Sequence, residues 1–136
     1  MTPSAIVAPD LGSSPEGWNE PDGRGVVGWQ TMISGDTTPT DALTCGLATV
    51  APGGFLALHR HEPAEIYLVH EGEGIVTIDG VEHRVKKGDC VYIPSMAEHG
   101  CRQAGEGAFR FFYVFPRDAF SDVIYLFSGA KGGEAG

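Results

Sequence analysis

From Val26 onward the chain runs as short apolar stretches separated by glycine, proline and acidic turn residues. Many of these stretches alternate with a period of two, which is the signature of half-buried β-strands. The pattern predicts strands at Val26–Ile33, Leu43–Val50, Phe55–His61, Ile66–His70, Gly74–Ile78 and Val81–Val85. Four more are expected at Cys90–Ile93, Gly100–Arg102, Phe109–Phe115 and Val123–Phe127. Asp79-Gly80 between two such runs is a strong signal for a two-residue hairpin. Pro52-Gly53-Gly54, Lys87-Gly88-Asp89 and Gly105-Glu106-Gly107 mark other turns. No segment sustains a helical period, and only 39–45 admits a single helical turn. Many short, evenly spaced strands predict an all-β sandwich or barrel. Residues 1–24, rich in proline, glycine, serine and acids, are expected as an extended arm. Residues 25–128 form the expected single barrel domain and 129–136 a flexible tail.

Parity then places the side chains. In Phe55-Leu56-Ala57-Leu58-His59-Arg60-His61 the odd positions are expected to face the interior and Arg60 the solvent. Glu65 follows Pro63, which marks a turn into the next strand, where Glu65, Tyr67 and Val69 share a face. Two glycine-bounded frames emerge: Gly53-x5-His59-x-His61-x3-Glu65-x6-Gly72 and Gly88-x5-Pro94-x4-His99. Neutral imidazoles with one carboxylate suit a divalent first-row ion such as Fe, Mn, Ni, Co, Cu or Zn. His59, His61, Glu65 and His99 are therefore the expected metal ligands. A structural zinc would be closed by four ligands, commonly with cysteine, and no cysteine lies in either frame. An octahedral ion on four ligands keeps two open positions, which favours a catalytic or substrate-binding role. His70 and His83 lie outside both frames and are expected to be solvated. Phe109, Phe111, Tyr113 and Phe115 form a stripe expected in the core, and Val123, Tyr125 and Phe127 share another face.

Composition narrows the functional classes. A length of 136 residues is one domain's worth. The net charge of −9 repels phosphate backbones and anionic lipid surfaces, so neither nucleic acid nor membrane is an expected partner. No apolar run reaches a membrane-spanning length. Met1–Asp10 lacks the basic start and apolar segment of a secretory signal. Cys45, Cys90 and Cys101 form no CxxC pair, and reduced thiols in a cytoplasmic protein are expected. Cys90 and Cys101, flanking the second frame, are expected as small core residues.

The two frames resemble the two signature motifs of the cupin superfamily. The resemblance implies a single-domain double-stranded β-helix (jelly-roll) barrel with a three-His, one-Glu metal site. The second frame departs from that pattern at Met96, where glycine is usual, and at Gln103, where asparagine is usual. Further segments resemble small cupin-type dimethylsulfoniopropionate lyases: Ala51-Pro52-Gly53-Gly54, Pro63-Ala64-Glu65-Ile66-Tyr67, Lys86-Lys87-Gly88-Asp89, Ala97-Glu98-His99 and Phe115-Pro116-x3-Phe120-Ser121-x-Val123-x-Tyr125. Those lyases hold the substrate carboxylate on a divalent metal, and a C-terminal tyrosine removes the adjacent proton. Carried over, the resemblance implies one divalent transition metal (Fe, Mn, Ni or Zn), Tyr125 as the base and Tyr67 as a substrate-orienting residue. It also implies a small carboxylate-bearing substrate and a homodimer. Trp29, Phe111 or Tyr113 could hold the sulfonium by cation–π contact. Three other readings share the metal site: an Fe(II) cupin dioxygenase, a metal-dependent isomerase or cyclase, and a non-catalytic small-molecule-binding cupin.

Overall fold

The computed structural model describes residues 5–129 and is all-β, with one single-turn 3-10 helix. Its strands are β1 (Glu16–Glu20), β2 (Gly25–Ile33), β3 (Thr44–Val50), β4 (Phe55–Arg60), β5 (Glu65–Glu71) and β6 (Glu73–Ile78). They continue with β7 (Val81–Lys86), β8 (Cys90–Ile93), β9 (His99–Ala104), β10 (Phe109–Phe115) and β11 (Leu126–Phe127). The main ladder runs β7-β6-β9-β4-β2-β3-β10-β5-β8, all antiparallel, with β1 added on β2 and β11 on β4. The sheet curls so that β6 and β10 meet across its interior, where Phe109 lies against Gly74. The segment expected as an arm thus supplies β1, and Leu11 is held on the barrel by its N–H donating to Gln30 Oε1 at 2.8 Å.

The apolar stripes fill the interior as alternation requires. Phe109, Phe111, Tyr113 and Phe115 are buried along β10, and Tyr67 and Val69 along β5. Each such side chain contributes roughly 1.5–3 kcal/mol on burial. His70 and His83 are exposed, as expected. The Asp79-Gly80 hairpin forms with φ of 46° and 83°, positive at both central residues, as a type I′ turn demands.

Four expectations are corrected. Strict alternation fails in β4, where register slips between Leu56↔Cys101 and His59↔His99. This bulge turns Leu56 inward together with His59, in place of Phe55 and Ala57. No helical turn forms over 39–45. The stretch is instead tied by Thr38 and Thr40 hydroxyls and by backbone bonds between near neighbours, which compete with a helix. The helical turn lies at Phe120–Asp122, and of the expected Val123–Phe127 strand only Leu126–Phe127 pairs. Cys90 faces solvent, whereas Cys45 and Cys101 are buried.

The two departures from the cupin pattern have structural answers. Met96 adopts a left-handed conformation, which glycine takes most readily, with φ of 62°, and its N–H donates to the His61 carbonyl at 2.9 Å. Gln103 joins two turns: its Oε1 accepts from Gly53 N–H at 3.2 Å, while its amide donates to the Gly105 and Gly107 carbonyls at 2.8 Å each.

Left-handed backbone costs a non-glycine residue roughly 1–2 kcal/mol, partly offset because glycine is more flexible when unfolded. Met96→Gly should therefore stabilise the protein by about 0.5–1 kcal/mol in urea unfolding, and an unchanged or lower midpoint would contradict the strain at this turn. Burial pushes the Cys101 thiol up to about 12 and raises that of Cys45. Both stay protonated at pH 8, and thiolate is the reactive form. Native protein treated with iodoacetamide at pH 8 should take up label at Cys90 alone, as read by peptide mass spectrometry.

Candidate metal centre

His59 lies near the end of β4, His61 just beyond it, Glu65 begins β5 and His99 begins β9. His59 and His99 are direct cross-strand partners. All four side chains are at most 4% exposed. The three imidazoles present ring nitrogens that all lie within 4.8 Å of one another. Glu65 Oε1 joins them at 3.1 Å from His61 Nε2 and 3.3 Å from His99 Nε2.

The main chain sets the tautomers. His59 Nδ1 donates to Ala57 O at 2.8 Å, His61 Nδ1 to Pro63 O at 2.9 Å, and His99 Nδ1 to Ala97 O at 2.9 Å. A carbonyl oxygen can only accept, so each Nδ1 carries the proton and each Nε2 of a neutral ring offers a lone pair inward. Burial, and secondarily the neighbouring His99 and His61, hold the His59 pKa well below the usual histidine value, which favours that neutral form. His99 Nε2 is buried with no hydrogen-bond partner. Acceptor atoms gathered around one buried point repel one another unless a cation joins them, so this donor set fits a divalent ion.

Through Glu65 the cluster borders a cavity of about 30 Å³. Trp18, Trp29, Tyr67, Phe111, Tyr113, Phe120 and Tyr125 supply its aromatic wall, and Glu65 is its one charged lining residue. Tyr125 stacks on His59 with ring centroids 4.9 Å apart, and meets His61 edge-on at 5.4 Å. Tyr67 stands beside Glu65 on β5, its ring tilted against Phe111 at 4.1 Å and 6.4 Å from that of His99. Burial, reinforced by the Glu65 charge, raises the phenol pKa of both Tyr67 and Tyr125 well above the ordinary value. The other two phenols are set apart: Tyr92 is 64% exposed, and the Tyr113 hydroxyl is occluded against Gly46.

The structure thus brings His59, His61, Glu65, His99, Tyr67 and Tyr125 to one place. It also adds two residues that sequence reasoning missed. Trp18 arrives from β1 and packs edge-on against Trp29 at 4.8 Å and Tyr125 at 5.8 Å. Its signal was a lone large aromatic in an otherwise polar segment. Phe120 sits in the 3-10 turn and completes the wall. Glu98, beside His99, turns away from the cluster to Ser128 and Arg60.

Comparison with known proteins agrees with this architecture. The family model described as cupin domain matches residues 46–115. The chain is 43% identical over 106 residues to dimethylsulfoniopropionate lyase DddW of Ruegeria pomeroyi, covering 78% of this chain and 69% of that protein. It is 28% identical over 93 residues to an oxalate-binding protein of Thermotoga maritima, covering 68% of this chain and 77% of the relative. The crystal structure of a predicted oxalate decarboxylase from Thermotoga maritima superimposes with a TM-score of 0.71 at 24% identity, over 82% of this chain and 99% of that one. The barrel, its two motifs and these relatives lead to one conclusion: the chain belongs to the cupin family.

Proposed function

We propose that this protein is a metal-dependent carbon–sulfur lyase that cleaves dimethylsulfoniopropionate to dimethyl sulfide and acrylate. In this reading His59, His61, Glu65 and His99 hold the metal, Tyr125 is the general base and Tyr67 orients the substrate. The observation that carries it is a cavity whose one charged lining residue, Glu65, belongs to the imidazole cluster, while aromatic rings supply most of the remaining wall. That lining suits the chemistry of a small zwitterion, with a metal beside Glu65 for its carboxylate and aromatic faces for its onium group. The 43% identity to a dimethylsulfoniopropionate lyase supports the same substrate. The relative named as oxalate-binding supports a carboxylate ligand.

A bound divalent ion supplies a Lewis acid that neutralises the substrate carboxylate and the charge developing beside it. The chain's own groups do the rest. The Tyr125 oxygen, in its deprotonated form, takes the proton from the carbon next to the carboxylate. The C–H electron pair becomes the new C=C bond, and the C–S pair leaves on sulfur as neutral dimethyl sulfide. A sulfonium needs no protonation to depart, so one base suffices. Aromatic faces at Trp18, Trp29 and Phe111 hold the sulfonium, each worth about 0.5–2 kcal/mol. Fe, Mn, Ni and Zn all suit the donor set. A cytoplasmic location and a homodimer remain part of this reading, the latter tested by light scattering on the eluting protein.

Headspace analysis of dimethyl sulfide, run anaerobically with Fe(II), Mn(II), Ni(II) and Zn(II) in turn, tests the assignment. Release should need metal and proceed without oxygen. Tyr125→Phe should lose about 100-fold or more in turnover with its metal content intact, in the range typical of a lost general base. His99→Ala should lose metal and activity together. No release with any of the four metals would sink the substrate assignment. Because burial raises the Tyr125 phenol and only its deprotonated form accepts the proton, kcat/KM should climb with pH from neutral to alkaline. That climb should vanish in Tyr125→Phe.

A further inference from the structure

The stretch of cavity wall that belongs to no sheet ladder is the crossover from β10 to β11, and it carries both Phe120 and Tyr125. Without a ladder, its backbone groups must find other partners. The loop between β2 and β3, together with the first residue of β3, provides them. Gly35 N–H donates to the Asp118 carbonyl at 2.7 Å, and Ala42 N–H to the Asp118 carboxylate at 2.8 Å. The Thr44 hydroxyl donates to the Arg117 carbonyl at 2.9 Å. Phe120 N–H donates to Ser34 Oγ at 2.9 Å. Ser121 delivers both of its donors to Asp36, Oγ–H to Oδ1 at 2.8 Å and N–H to Oδ2 at 3.1 Å. Ser34 Oγ–H donates to the same Oδ2 at 3.2 Å. The fit is close: a Cβ on Gly35 would stand 2.8 Å from the Asp118 carbonyl oxygen, so no side chain is admitted there.

Asp36 is the exposed hub of this set and touches neither the cavity nor the imidazoles. Yet it grips the 3-10 turn at Ser121, directly between Phe120 in the cavity wall and the run to Tyr125. Bonds to an ionised acceptor are roughly twice as strong as neutral ones, which suits a carboxylate for this task. Beyond the turn, Leu126 and Phe127 pair with Arg60 and His59. The crossover is therefore anchored at both ends, and Tyr125 lies on His59 between the anchors.

We propose that Asp36 is a positioning residue for Tyr125 and Phe120, acting through Ser121 to hold the crossover against the metal cluster. The inference rests on Tyr125 being the base. A misplacement of about 1 Å can cost on the order of a hundredfold in rate, whereas uniform binding of substrate is less sensitive.

The test compares metal-loaded wild type with Asp36→Ala, Ser121→Ala and the double variant. Hydrogen exchange over residues 116–127, and at the Gly35 and Ala42 amides bonded to Asp118, should speed up roughly tenfold in Asp36→Ala, with exchange elsewhere unchanged and a smaller rise in Ser121→Ala. The kcat for dimethylsulfoniopropionate should fall about tenfold or more while KM changes by less than about threefold. The double variant should be no worse than Asp36→Ala, because that change already removes both bonds from Ser121, whereas Ser121→Ala removes only the hydroxyl one. Faster exchange with wild-type kcat, unchanged exchange, or additive losses would each overturn the proposal. Trp18 and Trp29 pack against Tyr125 and Phe120, so a shift in tryptophan emission reports the same displacement without turnover. If wild type releases no dimethyl sulfide, the substrate assignment fails, while exchange and emission still decide whether Asp36 holds the crossover.

Discussion

Three imidazole lone pairs and a carboxylate oxygen converge on one buried point, and much of the local backbone is shaped by keeping them there. Each ring is aimed by an Nδ1–H bond to a carbonyl only two residues away. Such short-range bonds require bent backbone at each ligand. The bend is a β-bulge before His59, the Pro63 turn after His61, and the Ser95–Ala97 loop before His99. The left-handed conformation at Met96 belongs to this constraint: its N–H reaches the His61 carbonyl and so links the two ligand frames. A glycine would take that conformation at lower cost, and the protein keeps the shape while paying the strain.

A second consequence concerns which strand borders β4. The ladder between β2 and β4 spans only Gly25↔Leu56 and Val26↔Phe55. Past that point the edge of β4 is taken over by β11, pairing Leu126↔Arg60 and Phe127↔His59. His59 is thus flanked by His99 on one side and Phe127 on the other, and Tyr125 is delivered onto its ring. The same replacement gives the cavity a wall held by loop contacts rather than by a sheet. Around it the aromatic rings come from β1, β2, β5, β10 and the crossover, leaving Glu65 as the sole charged lining residue.

Burial sets the chemical character of this site. Removing His59 from water favours its neutral, ligating form, and the same removal, with Glu65 nearby, raises the phenols of Tyr67 and Tyr125. The two effects pull in opposite directions for catalysis. Neutral imidazoles are ready for a cation, whereas a buried phenol resists giving up its proton until a positive charge stands close by. A cation held at the cluster would therefore favour the deprotonated form of the phenol stacked on His59, by elementary electrostatics.

Local pattern alone determined much of this protein. Period-two alternation located the β-strands because pleated backbone puts neighbouring side chains on opposite faces, and Asp79-Gly80 located its hairpin because both residues tolerate positive φ. The candidate cluster was legible because His59, His61, Glu65 and His99 stand at spacings that bring all four to face one interior. Other features depend on contacts between segments far apart in the chain, and only the tertiary structure decided them. The inward turn of Leu56 follows from a bulge set by β9, and the exposure of Cys90 from the edge position of β8. The entry of Trp18 into the cavity wall follows from the pairing of β1 with β2. The place of Tyr125 on His59 follows from β11 succeeding β2 along β4. None of these leaves a periodic trace, because a ladder partner is chosen by the geometry of the closed sheet and not by the neighbours of a residue in sequence.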